Sequence, residues 1–330
     1  MLLKIFSQHP KSLRIGSESR VAESYDLLVK RYEQFSTPKE QIDFIENTVF
    51  FGAKFKKNKY QYKNNTVNPL KDIINREDLS GKFNLDYMAL IDKTIEQKNI
   101  NYVVEKTPSN VFHAKELSLL YPDFKLIVIH RDVRDVVASL KKRYLNLLNN
   151  PEIFNHNIEI KKLDKDYNLI IDALFWSKLV KKSYESQAEY GKDKIKIIKY
   201  EELVSNPDNI IKSICSWLNE EFYPEMLNLK GRNSANQNTR KYIGINDSSV
   251  GNYKNILDDN EIAIIEKYAK KGMSILNLTK SNRKSNYLKS LQYEIESYFK
   301  IFNRIRKRVL LMNFKYTLNF SKRFLKKLIG

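Results

Sequence analysis

A single cysteine, Cys215, among 330 residues leaves no partner for an internal disulfide, and the four histidines are scattered rather than set at metal-ligand spacing. Zinc or iron–sulfur chemistry is therefore not expected, and no metal site is assigned. No apolar run reaches the roughly 18 residues needed to span a bilayer, and the opening MLLKIFSQHP meets charge and proline too soon for a secretion signal. These absences point to a cytoplasmic protein. The nine glycines are dispersed, so neither GxxxxGK[ST] nor GxGxxG occurs. Acidic residues are few as well, 39 against 58 Lys and Arg, for a formal charge of +19.

What is present is a foldable chain: 42% hydrophobic residues with 12% aromatics exceed what disordered chains carry. The positive charge is uneven. Residues 283–330 hold 13 Lys and Arg with 2 acids, a net +11, which leaves +8 for the first 282 residues. In that tail Phe299, Phe302, Ile305 and Val309, then Phe320, Phe324 and Leu328, recur at helical spacing between basic residues. The pattern predicts a basic amphipathic helix. It either packs on the body with a solvated outer face or attaches to an anionic membrane surface or acidic partner. Nucleic acid is not expected as a partner, because no nucleic-acid-binding motif accompanies the charge.

Three short β-branched runs, at 101–105, 124–130 and 194–200, read as strands. Helical periodicity marks 21–35, 39–55, 85–97, 109–121, 133–149, 164–190 and 209–219, while 56–77, rich in Lys, Asn and Tyr, reads as a surface excursion. Strands alternating with helices predict an α/β protein with a parallel sheet flanked by helices. The division is one domain over 1–282 and a helical tail over 283–330.

Two strand-to-helix junctions carry the chemistry. After the first strand comes Lys106-Thr107-Pro108, with Thr107 placed to cap and Pro108 to open a helix. Lys106 thus stands at a strand's carboxyl end beside helix amides, where open α/β sheets bind anions. After the second strand comes HRDVRDVVASLKKR. Asp132 is placed to cap, Asp135 to reach back as a capping box, and Arg131 to sit at the junction. Ser139 and Arg143, four apart, share a helix face, so Arg131, Ser139 and Arg143 make a phosphate clamp.

The stretch VEKTPSNVFHAKELSLLYPDFKLIVIHRDVRDVVAS resembles the core of sulfotransferases that use 3'-phosphoadenosine 5'-phosphosulfate (PAPS) as sulfuryl donor. The resemblance implies that Arg131 and Ser139, supported by Arg143, hold the donor's 3'-phosphate, and that Lys106 serves catalysis. KIIKYEELVSNP is similar to the family's third strand and following helix, which sets Tyr200 near the adenine nucleotide. SSVGNYKNIL is similar to a late family segment, which brings in Gly251 and Lys254, with Asn252 and Tyr253 where the family commonly has Arg and Trp. Trp176 matches a family tryptophan and is taken as core. SQHPKSLRIGSESRV resembles a segment of the tyrosylprotein sulfotransferases, and aligns Glu18 with their catalytic base and Arg20 with an arginine at the reacting centre. Ser17 and Ser19 replace Glu and Thr there.

The resemblance implies transfer of a sulfuryl group to an acceptor hydroxyl, of protein tyrosine or of a glycan, with no metal. The family's first strand and phosphate loop, of the form PRSGTT, have no counterpart before the HP segment. Three explanations are open: a start at an internal methionine, with about ten to thirty residues upstream for one strand and loop; a pseudoenzyme acting as a non-catalytic nucleotide-fold module; or degeneration of the loop into HPKSLR. A P-loop kinase is disfavoured by the missing Walker loop.

Overall fold

The computed structural model describes residues 1–15, 18–51, 70–149, 167–231, 242–243 and 245–311. Four short strands carry the candidate residues: β1 (Ser12–Arg14), β2 (Tyr102–Val104), β3 (Leu126–His130) and β4 (Ile195–Lys199). β1 pairs parallel with β2, and β3 pairs parallel with β4. No ladder joins β2 to β3 among the described residues. A third pair, β5 (Lys230–Gly231) with β6 (Tyr242–Ile243), is antiparallel.

Side chains alternate across each strand, so helices cover two faces. Tyr102 and Val104 of β2, Ile127 and Ile129 of β3 and Ile198 of β4 meet one cluster, built by α1 (Leu2–Phe6), α8 (Tyr200–Ser205) and α9 (Pro207–Leu218). The buried Cys215 belongs to it. β2 and β3 thus share an apolar layer without sharing hydrogen bonds. On the other side, Val128 and Ile195 pack against Val111, Ala114 and Leu179, from the 3-10 turn Pro108–Phe112, α5 (Ala114–Leu120) and α7 (Leu169–Tyr190). α2 (Tyr25–Tyr32), α3 (Pro38–Phe51) and α4 (Phe83–Gln97) make a second lobe of core behind Ile15 and Val103. α6 (Val133–Asn149) packs with α7, α10 (Asp259–Tyr268) and α11 (Lys270–Ile275). α12 (Tyr287–Leu311) follows.

Local sequence accounts for the helix ends. Asn168 caps α7 by accepting from the amides of Ile170 and Ile171, and Asp258 with Glu261 forms a capping box on α10. Pro207 opens α9, where its missing N–H is no loss, and Asn219 ends it in the left-handed conformation.

The sequence-based helix at 21–35 divides into the 3-10 turn Ala22–Ser24 and α2, and the one at 109–121 into the turn Pro108–Phe112 and α5. β1 escaped the sequence reading because three residues are too few to show an alternation. The excursion at 56–77 is corrected in its second half. Leu70, Ile73 and Ile74 are buried and anchor that segment in the second lobe. Residues 56–69 lie outside the described residues, as do 164–166 and the tail positions Phe320, Phe324 and Leu328. Among the described residues no helix is long and apolar enough to cross a membrane.

Candidate functional site

Glu105, which follows β2 directly, organises the first junction. Its Oε1 accepts from the Ser19 amide at 3.0 Å, from the Ser19 hydroxyl at 2.8 Å and from the Thr107 hydroxyl. Its Oε2 accepts from Asn110 Nδ2 at 2.8 Å. Thr107 Oγ1 in turn accepts from the Arg20 amide at 3.1 Å. These bonds fasten the segment after β1 to the end of β2, and they hold Arg20 at φ 53°, a left-handed conformation that side chains other than glycine seldom adopt.

Lys106 Nζ thereby meets Glu18 Oε1 at 2.5 Å, and Arg20 Nη2 stands 3.6 Å from Glu18 Oε2. Burial pushes the Glu18 carboxyl up, but the Lys106 hydrogen bond with the charges of Lys106 and Arg20 outweighs it, so Glu18 sits below its ordinary value. The Met1 amine is pushed down by its own burial first, then by Lys4 and Lys106, which puts the start of α1 within electrostatic reach of Lys106. The expected cap is corrected. Thr107 makes no side-chain bond to a helix amide, because its hydroxyl is committed to Glu105 and Arg20.

At the second junction Arg131 follows β3 and Tyr200 follows β4. The Arg131 guanidinium lies over the Tyr200 ring at 4.6 Å, donates through Nη2 to the Ser249 carbonyl, and stands 3.5 Å from Asp135. Tyr200 Oη and Ser249 Oγ are 2.7 Å apart, and Trp176 Nε1 donates to the Arg131 carbonyl at 2.9 Å. Trp176 is core, and it also fixes the junction.

Asp132 caps α6 by accepting from the Arg134 amide at 2.8 Å. The expected return from Asp135 is not made. The Asp132 amide donates instead to Glu201 Oε1 at 2.9 Å, while Asp135 accepts from the amides of Gly251 and Tyr253 at 2.8 and 2.9 Å. Asp135 faces the 249–253 loop packed on α6, which offers two amides needing a partner, and Glu201 reaches the capping position from the first turn of α8, just after β4. Gly251 has φ 70° with open space where a Cβ would stand, so backbone conformation is its requirement. Its amide is engaged by Asp135, and its contribution to a ligand runs through loop placement. Arg134 turns into a buried ion cluster with Asp132 and Glu266, under Tyr253. Ser139 is half-buried, whereas Arg143 and Lys254 are exposed.

One helix touches both junctions. In α7, Trp176 bonds Arg131, Phe175 packs on Phe112 at 5.9 Å between ring centroids, and Ser186 Oγ donates to the Val111 carbonyl at 3.2 Å.

Comparison with known families assigns this arrangement. A family model described as "Sulfotransferase family" matches residues 1–225, which include both junctions. The chain belongs to the sulfotransferase family. It is an α/β protein with parallel strands flanked by helices. A sulfotransferase domain from the curacin biosynthetic pathway shares 14% identity, with a TM-score of 0.43, over 83% of this chain and 100% of that domain. A sulfotransferase domain from the Synechococcus PCC 7002 olefin synthase shares 14% identity, with a TM-score of 0.40, over 79% of this chain and 95% of that one. No curated protein matches the sequence.

In this sulfotransferase the second junction fits an anionic nucleotide. The Nε of Arg131 is buried and has no hydrogen-bond partner, an unmet donor of the kind a phosphate oxygen satisfies. Sequence reasoning missed Glu105, Asp135 as a loop anchor, Glu201 and Ser249. Glu105 was hidden because a lone acid after a strand has no motif, and its four donors come from residues up to 86 positions away. Ser249 lies within the segment that supplied Gly251, but it enters through backbone and hydroxyl atoms that no pattern marks. Gly251 and Lys254 lie outside the matched stretch.

Proposed function

We propose that this sulfotransferase moves a sulfuryl group from PAPS to an acceptor hydroxyl, with a protein tyrosine as the first acceptor to test and a glycan as the second. The observation that carries the proposal is the Lys106–Glu18 contact at the end of β2, with Arg20 beside it. A carboxylate in contact with two cations supports the reading, because transfer to a hydroxyl needs a base and charge stabilisation.

PAPS, when bound, supplies an activated sulfuryl group. Glu18 takes the acceptor proton; a phenol titrates near about 10, so attack at neutral pH needs such a base. Lys106 stabilises the charge that develops on the departing phosphate, and Arg20 orients Glu18. Arg131, Ser139 and Arg143 would hold the 3'-phosphate, with Tyr200 keeping the guanidinium in place, and Gly251 and Lys254 would contribute through the loop beside them. Residues 1–282 form the catalytic unit in this proposal, and 283–330 an accessory extension.

The test is sulfuryl transfer from labelled PAPS by the protein, with tyrosine peptides flanked by acids and separately with glycans. Transfer to one class and not the other identifies the acceptor. Replacing Lys106 with Ala should abolish turnover while nucleotide binding persists. Failure of the protein to bind the desulfonated nucleotide would sink the enzyme reading in favour of a non-catalytic nucleotide-fold module.

A further inference from the structure

α12 is fastened to the body along one side. Tyr293 Oη donates to Asp258 at 2.7 Å, Asn168 Nδ2 to the Ser297 carbonyl at 2.8 Å, and Lys267 Nζ to Glu294 at 2.7 Å. Ser297 is buried there. Leu288, Leu291, Ile295, Phe299 and Phe302 recur every three or four residues, so they form one stripe on another side of the helix. Leu288 is 74% exposed, Ile295 60%, Phe299 64% and Phe302 62%.

The arrangement inverts the usual one. A helix on a globular body turns its apolar stripe inward, whereas α12 turns Ser297 inward and two phenylalanines outward. A continuous apolar row of that kind marks an interaction surface. The charge around it is predominantly positive. Glu294 is paired with Lys267 and Glu296 is exposed, but Lys289, Lys300 and Arg306 are exposed as well, and from residue 300 to residue 330 there are 10 Lys and Arg with no Asp or Glu.

We propose that α12 docks this protein on an anionic lipid bilayer, lying in the plane of the interface. Leu288, Ile295, Phe299 and Phe302 enter the boundary between headgroups and acyl chains, the basic residues meet the lipid phosphates, and the Tyr293 and Ser297 side stays fastened to the body. A bilayer supplies both an apolar phase and a negative surface, which the two properties of the helix require together. A second copy supplies the apolar phase but sets one +11 extension against another. Nucleic acid supplies the phosphates but no apolar phase for Leu288 and Ile295. The proposal is independent of the donor-site chemistry.

The full chain is sedimented with vesicles of phosphatidylcholine alone and of equal parts phosphatidylcholine and phosphatidylserine. Expected is binding to the anionic vesicles that weakens with salt, and little binding to the neutral ones. The triple variant Ile295→Ser, Phe299→Ser, Phe302→Ser should bind about tenfold or more weakly, with an unchanged melting temperature because these side chains are exposed. If its melting temperature falls, Phe299→Ser and Phe302→Ser are compared singly, and each should weaken binding. Lys300→Glu with Arg306→Glu should weaken it too. The proposal is overturned by wild-type protein that ignores anionic vesicles, by stripe variants that bind as well as wild type, or by a wild-type dimer that the stripe variant dissolves in the absence of vesicle binding.

Discussion

Lys106 Nζ and Glu18 Oε1 stand 2.5 Å apart, a proposed catalytic cation and a proposed base in direct contact across 88 residues of sequence. The contact favours the ionised form of Glu18, which stays a carboxylate through neutral and mildly acidic pH.

The sign of that coupling is measurable. Burial raises the Glu18 carboxyl, and the Lys106 bond with the charges of Lys106 and Arg20 lowers it further than burial raises it. In Lys106→Met the burial contribution faces Arg20 alone, so the titration midpoint of Glu18, followed by carbon-13 NMR, moves to higher pH. An unmoved midpoint would mean that the contact does not exist in solution.

Glu105 predicts a separation of effects. Its carboxylate receives Ser19, Thr107 and Asn110, yet in the proposed mechanism it touches neither donor nor acceptor. Glu105→Gln replaces an acceptor oxygen with a donor facing donors, which should lower stability by about 1–3 kcal/mol. Misplacing Glu18 and Arg20 should also cut kcat by about 10- to 100-fold with donor affinity nearly unchanged. Equal losses in kcat and donor affinity would assign Glu105 a binding role instead.

Arg131 and Tyr200 make a second pair whose geometry depends on a planar guanidinium. Arg131→Lys keeps the charge but loses the fork and the stacking surface, and should weaken binding of the desulfonated nucleotide by about tenfold, the worth of one charge-assisted hydrogen bond. Tyr200→Phe keeps the ring and loses only the Ser249 bond, so its cost by calorimetric titration should be smaller. The reverse order would place the hydroxyl, not the guanidinium, at the phosphate.

Gly272 connects stability to the same site. A Cβ there would stand 2.6 Å from Trp176 Cζ3 and 2.8 Å from Ser177 Cα, where α11 crosses α7. Gly272→Ala should cost about 1–3 kcal/mol in urea unfolding as an overpacked contact. Because Trp176 also holds the Arg131 carbonyl, nucleotide binding should fall with it.

Much of the fold was legible in the chain. The β-branched run at 124–130 identifies a strand, and the structure has β3 over its last five residues. VRDVVASLKKRYLNLLN begins and ends where its periodicity does. The same local signals failed at Thr107 and Asp135. A capping residue and an anchoring residue have the same side chain, and only the neighbouring segments decide which amides it reaches.

Sequence alone determined the two strand-to-helix junctions and the residues that stand on them, because backbone periodicity, turn residues and caps act over a few positions. Tertiary structure alone decided their partners: Glu18 against Lys106, Glu105 as the anchor of both, Arg131 against Ser249 across 118 positions, and the outward-facing stripe on α12. Those contacts join segments far apart in the chain, and only the packing of helices on strands sets which of many compatible charges and donors come within bonding distance.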